Sequence, residues 1–152
     1  MRTNWLLIAV GLLTAVLTIG VIACGGEEEG AEVKVNLTEY IVAPKPKSVA
    51  AGTVTINAKN IGGTEHELVV IRTDLALDGL PTTDTGAVDE SGEGVEVIDR
   101  IQKFAPGGEE SITVDLAPGA YVLVCNVVQE TARGGTVSHY QEGMEAAFEV
   151  TG

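Results

Sequence analysis

The chain has 152 residues, 22 of them acidic and 9 basic, and a formal net charge of −13. This length is enough for one domain with a buried core. The acidic excess argues against a nucleic-acid partner, because binding to phosphates needs a positive surface. An acidic surface keeps a protein soluble, and a field of this sign also attracts a basic partner.

The first 23 residues have the pattern of a secretory signal. Arg2 is followed by an apolar run from Trp5 to Ala23, and a basic start, an apolar middle and a final small residue are typical of such signals. The run ends in Ala-Cys, which resembles the lipobox of bacterial lipoproteins and predicts lipidation of Cys24. An uncleaved transmembrane anchor is the alternative, since the run is almost long enough to span a bilayer. Both interpretations place the rest of the chain outside the cytoplasm, tied to a membrane.

Residues 24–32 are predicted to be a flexible acidic tether, because Gly-Gly-Glu-Glu-Glu-Gly follows Cys24. Residues 33–152 are predicted to form one all-β domain. Short segments that alternate apolar and polar residues, or that are continuously apolar, predict its strands. They are Val33–Tyr40, Val54–Asn60, Leu68–Ile71, Val95–Phe104, Ser111–Leu116, Tyr121–Cys125 and Ala146–Val150. Gly and Pro turns separate them, which favours a β-sandwich or barrel.

Three further regions are not predicted as strands. Pro44 and Pro46 are expected to break the chain after the first strand. Residues 74–94 are acidic and rich in Gly and Thr, and their acids lack the spacing of an EF-hand, so a solvated loop with one helical turn is predicted. Residues 126–138 are predicted to bulge out as a second loop.

The chain holds few residues that bind transition metals. Its two histidines are His66 and His139, Met144 is the one methionine besides the initiator, and Cys125 is the one cysteine outside the N-terminal segment. Cys125, His139 and Met144 form the run Cys-x13-His-x4-Met. Two imidazoles, a thiolate and a weak thioether are the ligands of a blue-copper site. Zinc sites use the same His and Cys ligands and are the alternative, although a thioether suits copper better.

The predicted location outside the cytoplasm bears on Cys125, because an unpaired thiol in an oxidising compartment needs a function. Its one possible intrachain disulfide partner is Cys24. That disulfide would pull the tether into the fold, so metal ligation is the better explanation of a lone cysteine.

Three motifs resemble the cupredoxins, the plastocyanin-like and azurin-like blue copper proteins. They are Gly-Thr-Glu-His-Glu-Leu-Val-Val around His66, Pro-Gly-Ala-Tyr-Val-Leu-Val-Cys-Asn up to Cys125, and His-Tyr-Gln-Glu-Gly-Met from His139 to Met144. The resemblance implies an eight-stranded Greek-key β-sandwich with one type 1 copper. It further implies one ring nitrogen from each histidine, a short bond to Cys125, an axial Met144, and a partly exposed His139 that passes the electrons.

The chain departs from the family pattern in two places. Thirteen residues separate Cys125 from His139, where plastocyanin-like members usually have a few. Glu67 follows the first histidine, where many members have Asn, and its backbone N–H is still expected to face the Cys125 sulfur. Glu65, Glu67 and Glu142 are expected to favour Cu(II) and so to lower the reduction potential.

The leading functional hypothesis is a one-electron carrier at the outer face of a membrane. Four protein ligands leave copper no position for a substrate, and no histidine remains for a second copper centre, so an enzyme is not expected. The expected partner is a cytochrome or a membrane electron-transfer complex with a basic docking surface. The alternatives are a copper carrier or storage lipoprotein and a structural or adhesive β-sandwich without metal.

Overall fold

A computed structural model describes residues 30–152. The predicted signal, Cys24 and most of the predicted tether lie outside this range. None of the helical segments within it is long and apolar enough to cross a membrane.

The described chain forms two β-sheets and a small hairpin. The strands are β1 Ala31–Thr38, β2 Ile41–Lys45, β3 Ser48–Ala50, β4 Gly52–Asn60, β5 His66–Arg72, β6 Glu96–Phe104, β7 Glu109–Leu116, β8 Gly119–Val124, β9 Val128–Glu130, β10 Thr136–Ser138 and β11 Glu145–Thr151. One sheet has the order β2-β1-β4-β7, the other β3-β11-β8-β5-β6, and β9 and β10 pair with each other. Strands distant in sequence lie side by side, as in a Greek key.

The two sheets pack face to face around the main core. Alternate residues of β1 and β4 point inward, as the predicted period of two requires. They meet the inner face of the five-stranded sheet. The fully buried members include Val33, Val35, Leu37, Val54 and Ile56 from one sheet and Leu68, Val70 and Leu123 from the other. The predicted all-β sandwich is confirmed.

The seven predicted strands are present, with shifted ends. β1 begins at Ala31 and stops at Thr38, so Glu39 and Tyr40 form the turn to β2 instead of the end of the strand. The prediction that the two prolines break the chain is wrong for Pro44, which lies inside β2 and pairs with Val35. β2 is an edge strand, where the missing N–H of proline breaks no ladder hydrogen bond.

The region predicted as a solvated loop covers the outer face of the five-stranded sheet. Leu80 and Val88 are buried there against Val69 and Val122 and form a second apolar cluster. The loop's acidic and glycine-rich composition hides these two anchors, so the prediction of solvation is wrong for them. The predicted helical turn is present as a 3-10 turn at Leu77–Gly79.

The insertion at 126–138 is not an irregular bulge. Its two ends form the antiparallel hairpin of β9 and β10, in which Val128 pairs with Ser138. Together with the short edge strand β3, this hairpin takes the described strands beyond the eight that the resemblance implies.

Candidate metal centre

The four predicted ligands meet at one end of the sandwich. His66 is the first residue of β5, Cys125 directly follows β8, and Met144 directly precedes β11. β5 and β8 are antiparallel neighbours, and Val69 pairs with Val124. The start of β5 therefore lies beside the end of β8, and this pairing brings His66 to Cys125 across 59 residues of sequence.

Backbone hydrogen bonds hold the other ligands in place. The N–H of Cys125 donates to the carbonyl of Met144 at 3.0 Å, and the N–H of Met144 donates to that of His139 at 2.9 Å. The N–H of His139 donates to the Val127 carbonyl, also at 2.9 Å. The loop that carries three of the predicted ligands is thus tied to itself at each of them.

The donor atoms are spaced as a shared metal ion requires. His66 Nδ1 lies 3.3 Å from His139 Nδ1, and Cys125 Sγ lies 3.4 Å from His139 Nδ1 and 3.8 Å from His66 Nδ1. A trigonal ion with metal–nitrogen bonds of about 2.1 Å and a metal–sulfur bond of about 2.3 Å would space these atoms by roughly 3.6 to 3.8 Å. The observed distances fit that triangle to within a few tenths of an ångström.

All four side chains are fully buried. His66, Cys125, His139 and Met144 each have 0% relative exposure, and Cys125 has no disulfide partner in the described part of the chain. Met144 packs in the same apolar cluster as Cys125. A thiolate, two imidazoles and a nearby thioether are soft and borderline donors, and this set favours copper over the harder cations.

Burial sets the protonation of the site. Burial raises the pKa of the Cys125 thiol to about 11, against the opposing effect of the backbone N–H groups of Glu67 and Val127. Burial lowers the pKa of His66 and of His139. At neutral pH the pocket therefore holds a protonated thiol and two neutral imidazoles, and metal binding would release the thiol proton.

A carboxylate that the sequence did not single out contacts one predicted ligand. Glu39 Oε1 lies 3.3 Å from His66 Nε2, although that buried nitrogen is too poorly aligned to make a hydrogen bond. The carboxylate also accepts hydrogen bonds from Thr64 Oγ1, Thr64 N and Gly63 N at 2.8, 2.8 and 2.9 Å. These bonds, led by that from the Thr64 side chain, lower the pKa of Glu39 to about 2.

The loop before β5 is shaped to admit this carboxylate. Asn60 is fully buried; its side-chain amide donates to the carbonyls of Thr64 and Phe104, and its oxygen accepts from Gly62 N. A Cβ on Gly62 would lie 2.7 to 2.8 Å from both Glu39 carboxylate oxygens and from His66 Nε2. Only glycine fits there. The Gly62-Gly63 pair predicts the turn, but nothing in its local sequence indicates the contact with Glu39.

The neighbouring turn residue, Tyr40, contacts the other imidazole. Its ring meets His139 edge to face, with centroids 5.1 Å apart and an interplanar angle of 69°. His139 is fully buried, so the partial exposure expected from the resemblance is wrong. Besides Tyr40, the residues on both sides of His139 are covered, because Ser138 Oγ donates to the Gly86 carbonyl and Tyr140 Oη to that of Leu77, both at 2.7 Å.

The hairpin insertion is fastened to the same covering loop. Asn126 Oδ1 accepts from Val88 N at 2.6 Å, and its Nδ2 donates to the Val88 carbonyl and to Glu90 Oε1. Glu90 in turn pairs with Arg100. A ligand loop this long would be mobile by itself, and these bonds hold its first residues against the sheet.

The Glu67 that replaces the usual Asn is nearly buried. Its pKa is raised by burial, and the nearby Arg100 and the backbone N–H of Asn126 oppose that effect. The expected position of the Glu67 N–H is confirmed, since it faces the Cys125 sulfur and lowers the pKa of the thiol. Glu65 and Glu142 are exposed, so among the acids discussed it is Glu39 that contacts a predicted ligand.

Similarity to known proteins is found in structure. No protein-family model matches the chain, and no curated protein matches its sequence. An auracyanin from the photosynthetic bacterium Roseiflexus castenholzii superposes with a TM-score of 0.55 at 24% identity and covers 81% of this chain and 100% of its own. Auracyanin B gives 0.54 at 19% identity, with 80% and 89% covered.

A third similar structure carries chemical information in its description. Auracyanin A, described as a "blue" copper protein from the green thermophilic photosynthetic bacterium Chloroflexus aurantiacus, has a TM-score of 0.50 at 17% identity and covers 80% of this chain and 99% of its own. At these identities the likeness concerns the fold. With its two sheets and the His, Cys, His and Met side chains gathered at one end, the chain has the cupredoxin fold.

Proposed function

We propose that this protein binds one type 1 copper ion through His66, Cys125, His139 and Met144 and carries single electrons. The observation that supports it most is the triangle of two imidazole nitrogens and one sulfur, 3.3 to 3.8 Å apart in a fully buried pocket. Copper bound by such a set changes oxidation state with little change in geometry. The protein's part is to hold the donors rigid and to exclude water.

Rigidity is supplied from two sides. The ligand loop is tied to β8, to itself and to the loop at 73–95, as described above. The turn at Glu39–Tyr40 contacts both histidines from the other side. Donors fixed in this way suit an electron carrier, because the ligands need not move when the charge of the site changes.

The copper carrier or storage alternative is less well supported. Reversible delivery of copper favours exposed, exchangeable ligands, whereas all four proposed ligands have 0% exposure. Catalysis at the metal is also poorly supported, because four protein ligands leave no open position for a substrate, in contrast to catalytic metal sites.

The test is an absorption spectrum of the copper-loaded protein. We expect a strong thiolate-to-copper charge-transfer band in the visible, and its loss in Cys125→Ser. Thr131→Ser, a change in the exposed hairpin tip, is the control and should leave the band unchanged. A stably loaded protein without the band would contradict type 1 geometry, and rapid release of copper to a chelator would favour the carrier alternative.

We also propose that the protein is a lipoprotein at the outer face of a membrane, with Cys24 as the lipidated residue. The support is the sequence of residues 1–24, which lie outside the described range. Two or more acyl chains would hold the protein firmly, since each buried methylene contributes about 0.8 kcal/mol. Mass spectrometry of the protein from membranes should find a diacylglyceryl group on Cys24, and release of the protein by a salt wash would contradict the anchor.

A further inference from the structure

If electrons pass through this site, they cannot pass through an exposed ligand edge. His66 and His139 are both fully buried in the described structure. Tyr40 is partly exposed and lies against His139, 5.1 Å between ring centroids. Its ring is therefore an aromatic link between a proposed ligand and the protein surface.

The surface next to Tyr40 is apolar. Among the described residues three large hydrophobic side chains are exposed, namely Ile41 at 55%, Ile61 at 54% and Leu75 at 39%. Ile41 pairs with Thr38 across β1 and β2, and Ile61 N donates to the Leu37 carbonyl on the other side of β1. The two isoleucines thus flank Thr38, each about 5 Å away across the sheet.

We infer that electrons enter and leave through Tyr40, and that the redox partner docks on the apolar patch of Tyr40, Ile41 and Ile61. This inference rests on the proposed function and names the surface that it uses. Single exposed hydrophobic residues are common, but here two of the three lie beside the turn that contacts both histidines. One electron passes between the carrier and the metal centre of the partner, and no bond or proton is exchanged.

The patch and the charge of the chain define the partner. We commit to a redox protein whose docking face is apolar at its centre and basic at its rim. The apolar centre would match the two isoleucines, and the basic rim would be attracted by a chain of net charge −13. Complementary charge speeds the encounter, while a few central side chains provide most of the affinity.

The first experiment measures electron self-exchange between oxidised and reduced copies of the copper-loaded protein by NMR line broadening. Tyr40→Leu should slow exchange about tenfold and Ile61→Ser about fivefold, as expected of central interface residues. Leu75→Ser is the matched control, because Leu75 follows the far end of β5, and it should exchange at the wild-type rate. Copper content and the visible band should be retained in all three.

The second experiment needs no metal. A basic c-type cytochrome is titrated into the metal-free, isotope-labelled protein, and the amide shifts are followed. The shifts should centre on Tyr40, Ile41 and Ile61 and weaken about fivefold in affinity in Ile61→Ser. Shifts confined to other surfaces would overturn the docking site, even if Tyr40→Leu had disturbed the fold.

The outcomes separate this inference from the proposed function. If the wild-type protein binds no copper or shows no exchange, the proposed function fails. If the wild-type protein exchanges electrons and both Tyr40→Leu and Ile61→Ser match its rate, or if Leu75→Ser slows exchange as much, only the inference fails.

Discussion

The five-stranded sheet is covered on both faces, but by different means. On the inner face the four-stranded sheet buries Leu123 completely in the main core. On the outer face a single acidic loop at 73–95 places Leu80 and Val88 over the strands. The inner cover stabilises the domain, whereas the outer cover also determines how the ligand loop is held. A glycine-rich loop can therefore shape a buried site through a few apolar anchors.

The largest expected effect is on the inner face. Leu123→Ala should lower the free energy of unfolding by about 3–5 kcal/mol, because a fully buried leucine leaves a cavity that a rigid sandwich cannot close. Urea unfolding of the metal-free protein measures it. A loss below about 1 kcal/mol would show that the inner face is not the main source of stability.

Leu80→Ala is the matched substitution on the outer face. We expect a smaller loss of about 2 kcal/mol, because the covering loop can relax into the space left by the side chain. Hydrogen exchange should also become faster at the amide of His139, since the loop is bonded to the residues on both sides of it. An equal loss in the two leucine variants would remove the distinction between the covers.

Tyr140→Phe tests the link between the outer cover and the ligand loop. It removes the hydroxyl that donates to the Leu77 carbonyl at 2.7 Å and accepts from Leu80 N at 3.2 Å. The free energy of unfolding should fall by about 1–2 kcal/mol. Tyr121→Phe is the control, since it loses one bond to the Ala117 carbonyl away from the ligand loop. Faster exchange at His139 in the control would contradict the link.

The smallest effect concerns pH and the turn opposite the outer cover. The pKa of Glu39 is lowered to about 2 from a usual 4.5, so its ionised form adds stability that is complete above about pH 4.5 and lost as the pH falls towards 2. In metal-free Glu39→Gln, unfolding stability should depend less on pH in that window. Glu109→Gln is the control, because its exposed pair with Lys59 contributes little. Identical pH profiles for the wild type and Glu39→Gln would contradict this role.

The sequence predicts the strands and the ligand set well because both depend on local pattern or scarcity. Alternation defines β1, β4 and β7, and the rarity of His, Cys and Met in this chain leaves few other candidates for a metal site. The edge strand β2 was missed because proline is read as a breaker, and its tolerance depends on the strand lying at the sheet edge.

The surroundings of the ligands could not be predicted in the same way. Glu39 and Tyr40 reach the two histidines because β1 lies parallel to β4, with Leu37 paired to Asn60. That placement depends on strand order, which alternation does not encode. The burial of His139 likewise depends on a loop whose composition suggests exposure to solvent.

The most direct test of the account is X-ray absorption at the copper edge of the loaded protein. We predict one short copper–sulfur distance and two copper–nitrogen distances in the wild type, and loss of the short sulfur contribution in Cys125→Ser. A copper ion surrounded by nitrogen and oxygen alone would contradict the proposed site, and with it the electron-carrier function.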